Sequence, residues 1–382
     1  MKILLAATGA DMASGANKCL IELAEKLPYF GIEVLVTIPQ HGNIEEHLKR
    51  KKIPYKFVHE YHSWYTSEKH KHNQFFLKHI LNYKTFFQIR RLIKKEKIDI
   101  VHENALTAYV AAWAAESLHI PVVWHMREFM EEDLNITFYN RKYSIKKINR
   151  AMYLIAISKA VANKWKRVFS PPIEVIYDGV LVEDYYISDK NRMSDVINII
   201  IYGRIVEAKG QLFFFEGINR LKKIIDKKIK CFWAGQIEDR EYYDTIISYI
   251  NKNGMNEYVR YLGEVSNIKN ILKDMDVVCV CSNQEGFGRV TVEAMLAGCI
   301  VLGANTGATK ELIINGKNGY LYEVNDVKDF SEKLENIIIN FEKNKKLGET
   351  AQIEAYENYS INNNIKKVIE VYNRALENKR GL

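Results

Sequence analysis

Two glutamates in the segment SNQEGFGRVTVEAM, residues 282–295, stand with seven residues between them, at Glu285 and Glu293. The segment follows an apolar run, DVVCVC, that predicts a buried strand, and it leads into an apolar periodicity that predicts a helix. A glutamate in an amphipathic helix usually faces solvent, but Glu293 is flanked by apolar residues on nearly every side. A carboxylate in that setting must be paired or must face a ligand. We therefore expect Glu293 to serve a binding site.

The turn between this strand and this helix is suited to an anion. Gly286 and Gly288 flank Phe287 and let backbone N–H groups approach a ligand, while the following helix adds its positive end. A helix that begins near Gly288 places Glu293 about 7 Å along its axis. The carboxylate of Glu293 can then accept hydrogen bonds from a ribose whose phosphates lie at the helix start.

A second candidate anion site lies in YGRIVEAKGQ, residues 202–211. Gly203 ends a predicted strand, Arg204 follows it, and Lys209 stands just before Gly210 at the start of the next predicted helix. Two cations beside a helix N-terminus favour a pyrophosphate. The alternative is that Arg204 and Lys209 are ordinary surface charges.

Short apolar runs alternate with helical patterns along the chain, and this alternation positions the two turns. Five runs predict a first sheet: KILLAA, IEVLVTIP, IDIVHE, PVVWHM and YLIAIS. Five more predict a second sheet: VINIIIYG, IKCFWAG, VRYLGEV, DVVCVC and CIVLGAN. Runs that are apolar on both faces indicate parallel sheets that are covered by helices on both sides.

The length of 382 residues and the polar stretch YYISDKNRMSD, residues 185–195, predict two domains. We expect an α/β fold of two doubly wound Rossmann-like domains, with a cleft between them that the carboxyl ends of the strands face. The first domain would span residues 1–187 and the second residues 188–360. A C-terminal helix within residues 361–382 would pack back on the first domain.

Composition and missing motifs exclude other classes of protein. A hydrophobic content of 47% and a charged content of 27% are typical of a soluble protein. The apolar stretch LTAYVAAWAAESLHIPVVW is interrupted by Glu116, His119 and Pro121, which argues against a membrane helix. The five cysteines lie in apolar surroundings without metal-ligand spacing, which predicts reduced core thiols and a cytosolic protein. The first turn lacks GxGxxG, and neither a Walker A nor an HExxH sequence occurs.

These segments together resemble retaining glycosyltransferases of the GT-B fold, in particular glycosyltransferase family four. EGFGRVTVEAM resembles the E-x7-E signature of that family, and YGRIVEAKG resembles its donor-phosphate segment. Further similarity lies in ASGANKCLIELAEKL, IAISKAV, VIYDGV and NGKNGYLYEVND. The matching segments extend from about residue 1 to residue 325 and are strongest in the second domain.

The resemblance implies a role for each matching residue. Arg204 and Lys209, with Gly203 at the strand end, would bind the diphosphate of a nucleotide sugar and steady the leaving group. Glu293 would hold the ribose hydroxyls, and Glu285 would hold the hydroxyls of the transferred sugar.

The resemblance also assigns the surrounding backbone and two residues of the first domain. His125, at the end of VVWHM, would approach the sugar, and the turn at Gly15 would pass near the phosphate. The backbone that would close over the sugar and the phosphates consists of Gly286, Phe287, Gly288 and Arg289.

This chain departs from the family pattern at four places. Ser14-Gly15 replaces two adjacent glycines, Asp178 replaces an asparagine, and Ala308 replaces the second glycine of a Gly-Gly pair. Arg289 stands where an aliphatic residue is common and adds a cation near the donor. These departures leave the fold secure and the identity of the donor open.

The implied reaction transfers a sugar from a nucleotide diphosphate sugar to an acceptor hydroxyl with retention at the anomeric carbon. Cations and a helix N-terminus would stabilise the diphosphate anion, so neither a metal nor a cofactor is implied. A UDP-sugar is favoured over a GDP-sugar. The richness in Lys, Ile and Asn indicates an AT-rich bacterial source, and the acceptor would be a lipid-linked or polymer glycan of the cell envelope.

Two other functions compete with this one. A non-catalytic relative would bind a sugar nucleotide as a partner subunit of another transferase. It would keep Glu293 but need not keep Glu285 or the phosphate cations, all of which are present here. A sugar-nucleotide epimerase of similar fold is disfavoured because the E-x7-E spacing belongs to transfer.

The net charge of +8 resides in one part of the chain, since residues 51–100 hold 12 Lys and Arg against 4 Asp and Glu. Basic helices that also carry aromatic residues bind anionic membrane surfaces. This predicts a peripheral protein at the inner face of the cytoplasmic membrane, and no nucleic-acid-binding motif accompanies the charge. The alternative is that the aromatics form core and the cations face water. The aromatic residues of the basic segment, residues 49–97, are Tyr55, Phe57, Trp64, Phe75, Phe76, Phe86 and Phe87.

Overall fold

The computed structural model of the chain describes residues 1–12, 14–61, 63–67, 75–188, 190 and 195–380, except for the side chains of residues 75 and 380. The strands are β1 (Lys2–Ala6), β2 (Glu33–Ile38), β3 (Tyr55–Phe57), β4 (Tyr65–Ser67), β5 (Ile100–Glu103), β6 (Val122–Met126), β7 (Ile136–Phe138), β8 (Tyr153–Ala156), β9 (Ile173–Val175), β10 (Val196–Tyr202), β11 (Lys228–Ala234), β12 (Val259–Tyr261), β13 (Val277–Val280), β14 (Ile300–Ala304) and β15 (Tyr320–Tyr322). The α-helices are α1 (Gly15–Lys26), α2 (Ile44–Arg50), α3 (Phe75–Glu96), α4 (Val110–Glu116), α5 (Glu131–Leu134), α6 (Arg141–Ile148), α7 (Lys159–Trp165), α8 (Gln211–Lys222), α9 (Arg240–Lys252), α10 (Lys269–Leu272), α11 (Arg289–Leu296), α12 (Thr309–Leu312), α13 (Val327–Ile339), α14 (Phe341–Tyr359) and α15 (Ile361–Arg380). Short 3-10 helices span Leu27–Phe30, Val182–Asp184, Glu207–Lys209 and Met255–Glu257.

Residues Met1–Gly179 and helix α15 form the first compact unit. Its seven strands lie in the order β3-β2-β1-β5-β6-β8-β9, and all pair in parallel. Strands β4 and β7 form a separate antiparallel pair. In register, Leu4 of β1 stands beside Leu35 of β2 and Val101 of β5. Strands β5, β6 and β8 are buried along their whole length, so both faces of this sheet are covered.

The division between the units falls between Gly179 and Val180, earlier in the chain than the predicted boundary. A Cβ at Gly179 would lie 2.5 Å from Cα of Ile361, so the chain beside the start of α15 needs a glycine. Val180 then donates its N–H to the Tyr359 carbonyl across 3.0 Å, within the second unit. Helix α15 packs on α1 and β6 of the first unit. The polar composition of residues 185–195 predicted the break there, whereas the division lies at Gly179, where the chain passes close to the start of α15.

Residues Val180–Ser360 form the second unit. Its six parallel strands lie in the order β12-β11-β10-β13-β14-β15. Its core includes Phe214, Trp233, Cys279 and Phe330. The two doubly wound parallel sheets confirm the predicted fold class. All five cysteines are buried free thiols, which confirms their predicted place in the core.

In each sheet the chain order reverses at one place, between β1 and β5 in the first unit and between β10 and β13 in the second. Loops diverge at such a switch point and leave a crevice at the carboxyl ends of the strands, where ligands bind. Gly15 follows β1, Arg204 follows β10, and Glu285 follows β13. The topology therefore places these predicted residues at the switch points of the two sheets.

Candidate active site

Two loops at the switch point of the second sheet lie against each other. Gly210 has a φ of +70°, and a Cβ there would lie 2.2 Å from the Cys281 carbonyl oxygen, so only glycine fits. Asn283 donates its N–H to the Ala208 carbonyl across 3.2 Å. These contacts join the loop after β10 to the loop after β13.

Lys209 and Glu285 form an ion pair at this junction. Lys209 Nζ lies 2.6 Å from Glu285 Oε1, and the Ser282 hydroxyl donates to the same oxygen across 2.5 Å. Burial by itself raises the pKa of Glu285, but the charge and hydrogen bond of Lys209, the Ser282 hydroxyl and the charge of Arg204 together bring this pKa below its ordinary value. Glu285 is therefore an ionised acceptor, and it is engaged by a residue that the sequence assigns to phosphate.

Arg204 is also paired with a carboxylate. Its Nη1 lies 2.9 Å from Oε2 of Glu238, and the two side chains are 38% and 34% exposed. Gly203, with a φ of +139°, turns the chain between β10 and Arg204. Nothing in the sequence pattern singles out Glu238, which follows β11. Because an ion pair open to water is weak, an anionic ligand can take the place of Glu238 beside Arg204.

Helix α11 begins at Arg289, as the periodicity predicts. Gly288 stands at its N-cap with a φ of +94° and accepts from the Thr291 N–H across 2.9 Å. The first N–H groups of a helix have no partner within it, so this start offers donors to an anion. Gly286 is half-buried in the turn before it. The Phe287 side chain is only 3% exposed, so it contributes packing to the core and only its backbone faces the turn.

Glu293 lies one turn into α11 and is 6% exposed. Arg289 Nε lies 3.5 Å from its Oε1, and the Tyr202 hydroxyl lies 3.4 Å from its Oε2. Burial, and then the charge of Glu293, raise the pKa of Tyr202 well above its ordinary value, so Tyr202 stays a neutral donor. Arg289, where the family pattern has an aliphatic residue, thus balances the charge of the carboxylate assigned to ribose.

A third loop, after β14, supports the backbone of Glu285. Gly307 has a φ of +49°, and a Cβ there would lie 2.6 Å from the Glu285 carbonyl oxygen. Ala308 donates its N–H to that same oxygen across 2.9 Å. The predicted departure at Ala308 is compatible with this contact, because the backbone N–H of residue 308 makes the hydrogen bond.

In the first unit, His125 is the penultimate residue of strand β6, and its side chain is 1% exposed. Its Nδ1 lies 3.3 Å from His102 Nε2 and 3.3 Å from Arg127 Nη2. Among the described residues its Nε2 has no hydrogen-bond partner, and the nearest carboxylate, Asp178 Oδ1, is 4.0 Å away. Burial, followed by the charges of Arg127 and His102, lowers the pKa of His125 well below its ordinary value. His125 is therefore a neutral imidazole.

Arg127 and Asp178 form a buried ion pair beside His125. Arg127 Nη1 lies 2.6 Å and 2.7 Å from the two Asp178 carboxylate oxygens, and Arg127 Nε donates to the Asn104 carbonyl across 2.9 Å. The Cys19 thiol also lies 3.4 Å from Asp178 Oδ2. Asp178, which departs from the asparagine of the family pattern, thus balances an arginine of this chain.

Gly15 opens helix α1 after an extended Ser14, whose side chain makes no capping hydrogen bond. The Asn104 side chain donates to the Ala16 carbonyl across 2.8 Å and ties this helix start to the loop after β5. Gly15 and His125 belong to the first unit, and the other predicted site residues belong to the second.

Several residues of the candidate site have no role predicted from the sequence. Tyr202 lies in the segment YGRIVEAKG but has no predicted role there. Its place at the end of a predicted strand, beside Gly203, is the feature that could have identified it as a site residue. The other residues without a predicted role are His102, Arg127, Glu238, Ser282 and, on helix α15, Tyr372.

Within the described ranges, no cluster of three or more His, Cys, Asp or Glu side chains is arranged to hold a metal ion.

Two family models match consecutive parts of the chain. Residues 13–184 match Glycosyltransferase Family 4, and residues 186–354 match Glycosyl transferases group 1.

Individual relatives agree with these matches, and a solved structure is similar in fold. Capsular polysaccharide biosynthesis glycosyltransferase CapH of Staphylococcus aureus is 26% identical over 61% of this chain and 68% of its own length. The GalNAc-alpha-(1->4)-GalNAc-alpha-(1->3)-diNAcBac-PP-undecaprenol alpha-1,4-N-acetyl-D-galactosaminyltransferase of Campylobacter jejuni is 23% identical over 69% of this chain and 71% of its own length. The crystal structure of Anabaena HepE in complex with UDP and glucose is similar in fold, with a TM-score of 0.82, 21% identity, and coverage of 98% of this chain and 100% of HepE.

Proposed function

Since this chain belongs to glycosyltransferase family 4 and has the GT-B fold, we propose that it moves a sugar from a nucleotide diphosphate sugar to an acceptor hydroxyl with retention at the anomeric carbon. The observation that carries the proposal is the Lys209–Glu285 ion pair, 2.6 Å long, at the switch point of the second sheet and just before helix α11. It holds a cation for a leaving phosphate and a carboxylate for a sugar hydroxyl at one place.

The charges of the site explain how a diphosphate would enter. Lys209 pairs with Glu285, Arg204 with Glu238, and Arg289 with Glu293. An ammonium group has three donors, so Lys209 can bind a phosphate oxygen and keep a contact to Glu285. The freed lone pairs of Glu285 then accept from a hydroxyl of the sugar.

Bond cleavage develops negative charge on the leaving diphosphate. Lys209, Arg204 and the first N–H groups of α11 are fixed donors for that charge, which is electrostatic stabilisation at the place where the charge appears. These side chains supply the charge that a metal ion supplies in other transferases, so the proposed reaction is metal-independent. Glu293 and Tyr202 offer an acceptor and a hydroxyl to the ribose.

The proposed donor is a UDP-sugar in preference to a GDP-sugar. Its support is the similarity in fold to HepE, whose crystal structure contains UDP and glucose. The proposed acceptor is a lipid-linked or polymer glycan of the bacterial cell envelope. The name of CapH refers to capsular polysaccharide, and the name of the Campylobacter relative includes a PP-undecaprenol acceptor.

We also propose that the basic segment, residues 49–97, docks on an anionic membrane surface at the inner face of the cytoplasmic membrane. Helix α3 exposes large apolar side chains, with Phe76 77% and Phe87 61% exposed. Lys84, Arg91 and Lys94 are exposed on the same helix. Apolar groups beside cations suit a headgroup layer, where each cation contributes about 1 kcal/mol.

The aromatic residues of the basic segment divide into two groups. Trp64 and Phe86 are buried, as the alternative interpretation expects, whereas Phe57, Phe76 and Phe87 are exposed. Tyr55 is half-buried. Residue 62, residues 68–74 and the side chain of Phe75 lie outside the described part of the segment. Among the helices that the structure describes, none is long and apolar enough to cross a bilayer.

The transferase proposal is tested with UDP-, GDP- and ADP-sugars and a panel of glycan acceptors. A transferase releases nucleoside diphosphate only when donor and acceptor are both present. A non-catalytic sugar-nucleotide-binding subunit would instead show thermal stabilisation by the donor, about 2.7 kcal/mol at 100 times the dissociation constant, without any release. Stabilisation by GDP and not by UDP would contradict the proposed donor class.

A further inference from the structure

We infer that His102, Arg127 and Tyr372 are positioning residues that hold His125 as the neutral tautomer with its proton on Nε2. The inference rests on the proposed function and on the role that the family resemblance implies for His125, which is to approach the transferred sugar. The inference explains which nitrogen of His125 donates a hydrogen bond and which accepts one. It also gives Tyr372 of the C-terminal helix α15 a part in fixing that arrangement.

The guanidinium of Arg127 decides which nitrogen of His125 is bare. Arginine has only donors, and Arg127 is held on two other sides, through Nη1 to Asp178 and through Nε to Asn104. Its remaining Nη2 lies 3.3 Å from His125 Nδ1. A proton on Nδ1 would face this N–H group, so Nδ1 must present its lone pair. The proton of the neutral ring then lies on Nε2.

A second contact of His125 Nδ1, with His102, links it to helix α15. His102 Nε2 also lies 3.3 Å from His125 Nδ1, so the single lone pair of Nδ1 is shared between two donors, and His102 carries its own proton on Nε2. His102 Nδ1 is then bare and accepts from the Tyr372 hydroxyl, 2.7 Å away. Burial, and then the charge of Arg127, lower the pKa of His102 to about 3, so this ring is neutral as well. The hydrogen bonds therefore run from Tyr372 through His102 to His125.

In this arrangement the Nε2–H group of His125 has no hydrogen-bond partner among the described residues. His125 Nε2 is buried and makes no hydrogen bond to a described residue. Asp178 Oδ1, 4.0 Å from it, is too far to accept a hydrogen bond but favours a proton over a lone pair at that atom. His125 is thereby prepared to donate to an oxygen of the sugar without becoming charged.

The tautomer is measured directly by nitrogen NMR on the full-length protein with 15N-labelled histidine at pH 7. The expected result is a one-bond N–H coupling at Nε2 of His125 and an unprotonated signal at Nδ1, assigned by their loss in His125→Asn. A proton on Nδ1, or a doubly protonated ring, overturns the inference. This result does not depend on whether the chain transfers sugar.

The positioning role is tested by His102→Met and His102→Gln. The two side chains have nearly the same length, but only glutamine can donate to His125 Nδ1. The methionine variant is expected to lower kcat about tenfold and to alter the Nε2 signal of His125, whereas the affinity for UDP is unchanged. The glutamine variant is expected to restore both.

Two outcomes of these variants decide the role of His102. If both variants have the same kcat and the same His125 spectrum as the native chain, His102 does not position His125. If the methionine variant does not fold, Tyr372→Phe replaces it, with the expectation that the hydrogen bond at His102 Nδ1 is lost from the spectrum. An unaltered Nδ1 signal in that variant contradicts the proposed direction.

Discussion

The two units place an arginine–carboxylate pair beyond the carboxyl ends of their strands, but they bury it to different extents. Arg127 and Asp178 of the first unit pair at 2.6 Å with side chains 5% and 7% exposed. Arg204 and Glu238 of the second unit pair at 2.9 Å with side chains 38% and 34% exposed. A buried pair cannot lose one partner without leaving an uncompensated charge, whereas an exposed pair exchanges its partner at little cost. The first arrangement suits fixed orientation, and the second suits reversible binding of an anion.

The same contrast appears in the protonation of the carboxyl groups. Burial, and then the charge of Glu60, raise the pKa of Glu103 in the first unit to about 8. In the second unit burial acts on Glu285 in the same direction, but Lys209, the Ser282 hydroxyl and the charge of Arg204 together lower its pKa. One carboxyl is kept neutral inside the fold, and the other is kept charged where a ligand would meet it.

The largest effect is expected from breaking the buried pair. Asp178→Asn keeps the shape of the side chain but leaves the Arg127 charge uncompensated, which should lower the free energy of unfolding by about 3–5 kcal/mol. The matched control is Glu174→Gln, which breaks the exposed pair with Arg374 in the same unit, where about 0–1 kcal/mol is expected. Urea denaturation of both variants measures the difference. Similar losses in the two would show that burial does not separate these pairs.

The next effect concerns turnover. Lys209→Ala removes the cation that meets the leaving phosphate and should lower kcat by on the order of 100-fold, or about 2.7 kcal/mol. Arg204→Ala should act in the same direction. The control is Lys273→Ala, an exposed lysine of the same unit, which should leave kcat unchanged. Near wild-type transfer by both Lys209→Ala and Arg204→Ala would refute the diphosphate site.

The two glutamates of the E-x7-E segment are separated by binding of UDP without sugar. Glu293→Ala should weaken UDP binding because it removes the acceptor for the ribose hydroxyls. Glu285→Ala should not weaken it, because Lys209 loses a competing carboxylate and becomes freer for phosphate, but it should impair transfer. Isothermal titration calorimetry of both variants, with Glu285→Gln as the shape-conserving control, measures the difference. Equal losses of UDP affinity would contradict the division of roles.

A pH dependence follows from Glu103. Its folded pKa of about 8 lies above the ordinary value of 4.5, so its contribution to stability is fully present below about pH 4.5 and is lost as the pH rises through 8. The slope is about 1.4 kcal/mol for each pH unit over which the folded state holds one more proton.

Glu103→Gln tests this assignment. Glutamine can keep the hydrogen bond that Glu103 Oε1 accepts from the Ala112 N–H across 2.7 Å, and it cannot titrate. Thermal unfolding between pH 5 and 9 should therefore show a smaller decline in the variant than in the native chain. An identical decline would assign the pH dependence to other groups. Glu285, with its lowered pKa, contributes in the opposite direction, since its stabilisation is lost as the pH falls.

Sequence periodicity predicted the long central strands, because runs such as those of β1 and β13 are buried on both faces. It missed β3, β9 and β15, which have three residues each and lie at a sheet edge, and it also missed the three-residue strands β4 and β7 of the separate pair. Three residues are too few to show a period, and β12, which is as short, was predicted from the longer run VRYLGEV that contains it.

The individual site residues were predictable where a local motif carries them. The pairs between them were not. Lys209 and Glu285 are 76 residues apart, and Arg127 and Asp178 are 51 residues apart. Lys209 and Glu285 were each interpreted alone as ligands of the donor, Asp178 was noted only as a departure from a pattern, and Arg127 was given no role. The pairs arise only when the sheet brings the strand ends together, and no local spacing encodes that contact.

The smallest effect concerns binding to a membrane, which depends on the salt concentration and for which the two units again differ. Both expose large apolar side chains, Phe76 and Phe87 on α3 of the first unit and Ile353 on α14 of the second. Only the first group lies within the basic segment, so anionic liposomes should pellet the protein at low salt and release it at high salt. Phe76→Ser with Phe87→Ser should reduce pelleting, and Ile353→Ser should not. Failure to pellet with anionic liposomes at low salt would remove the membrane proposal and favour a soluble acceptor.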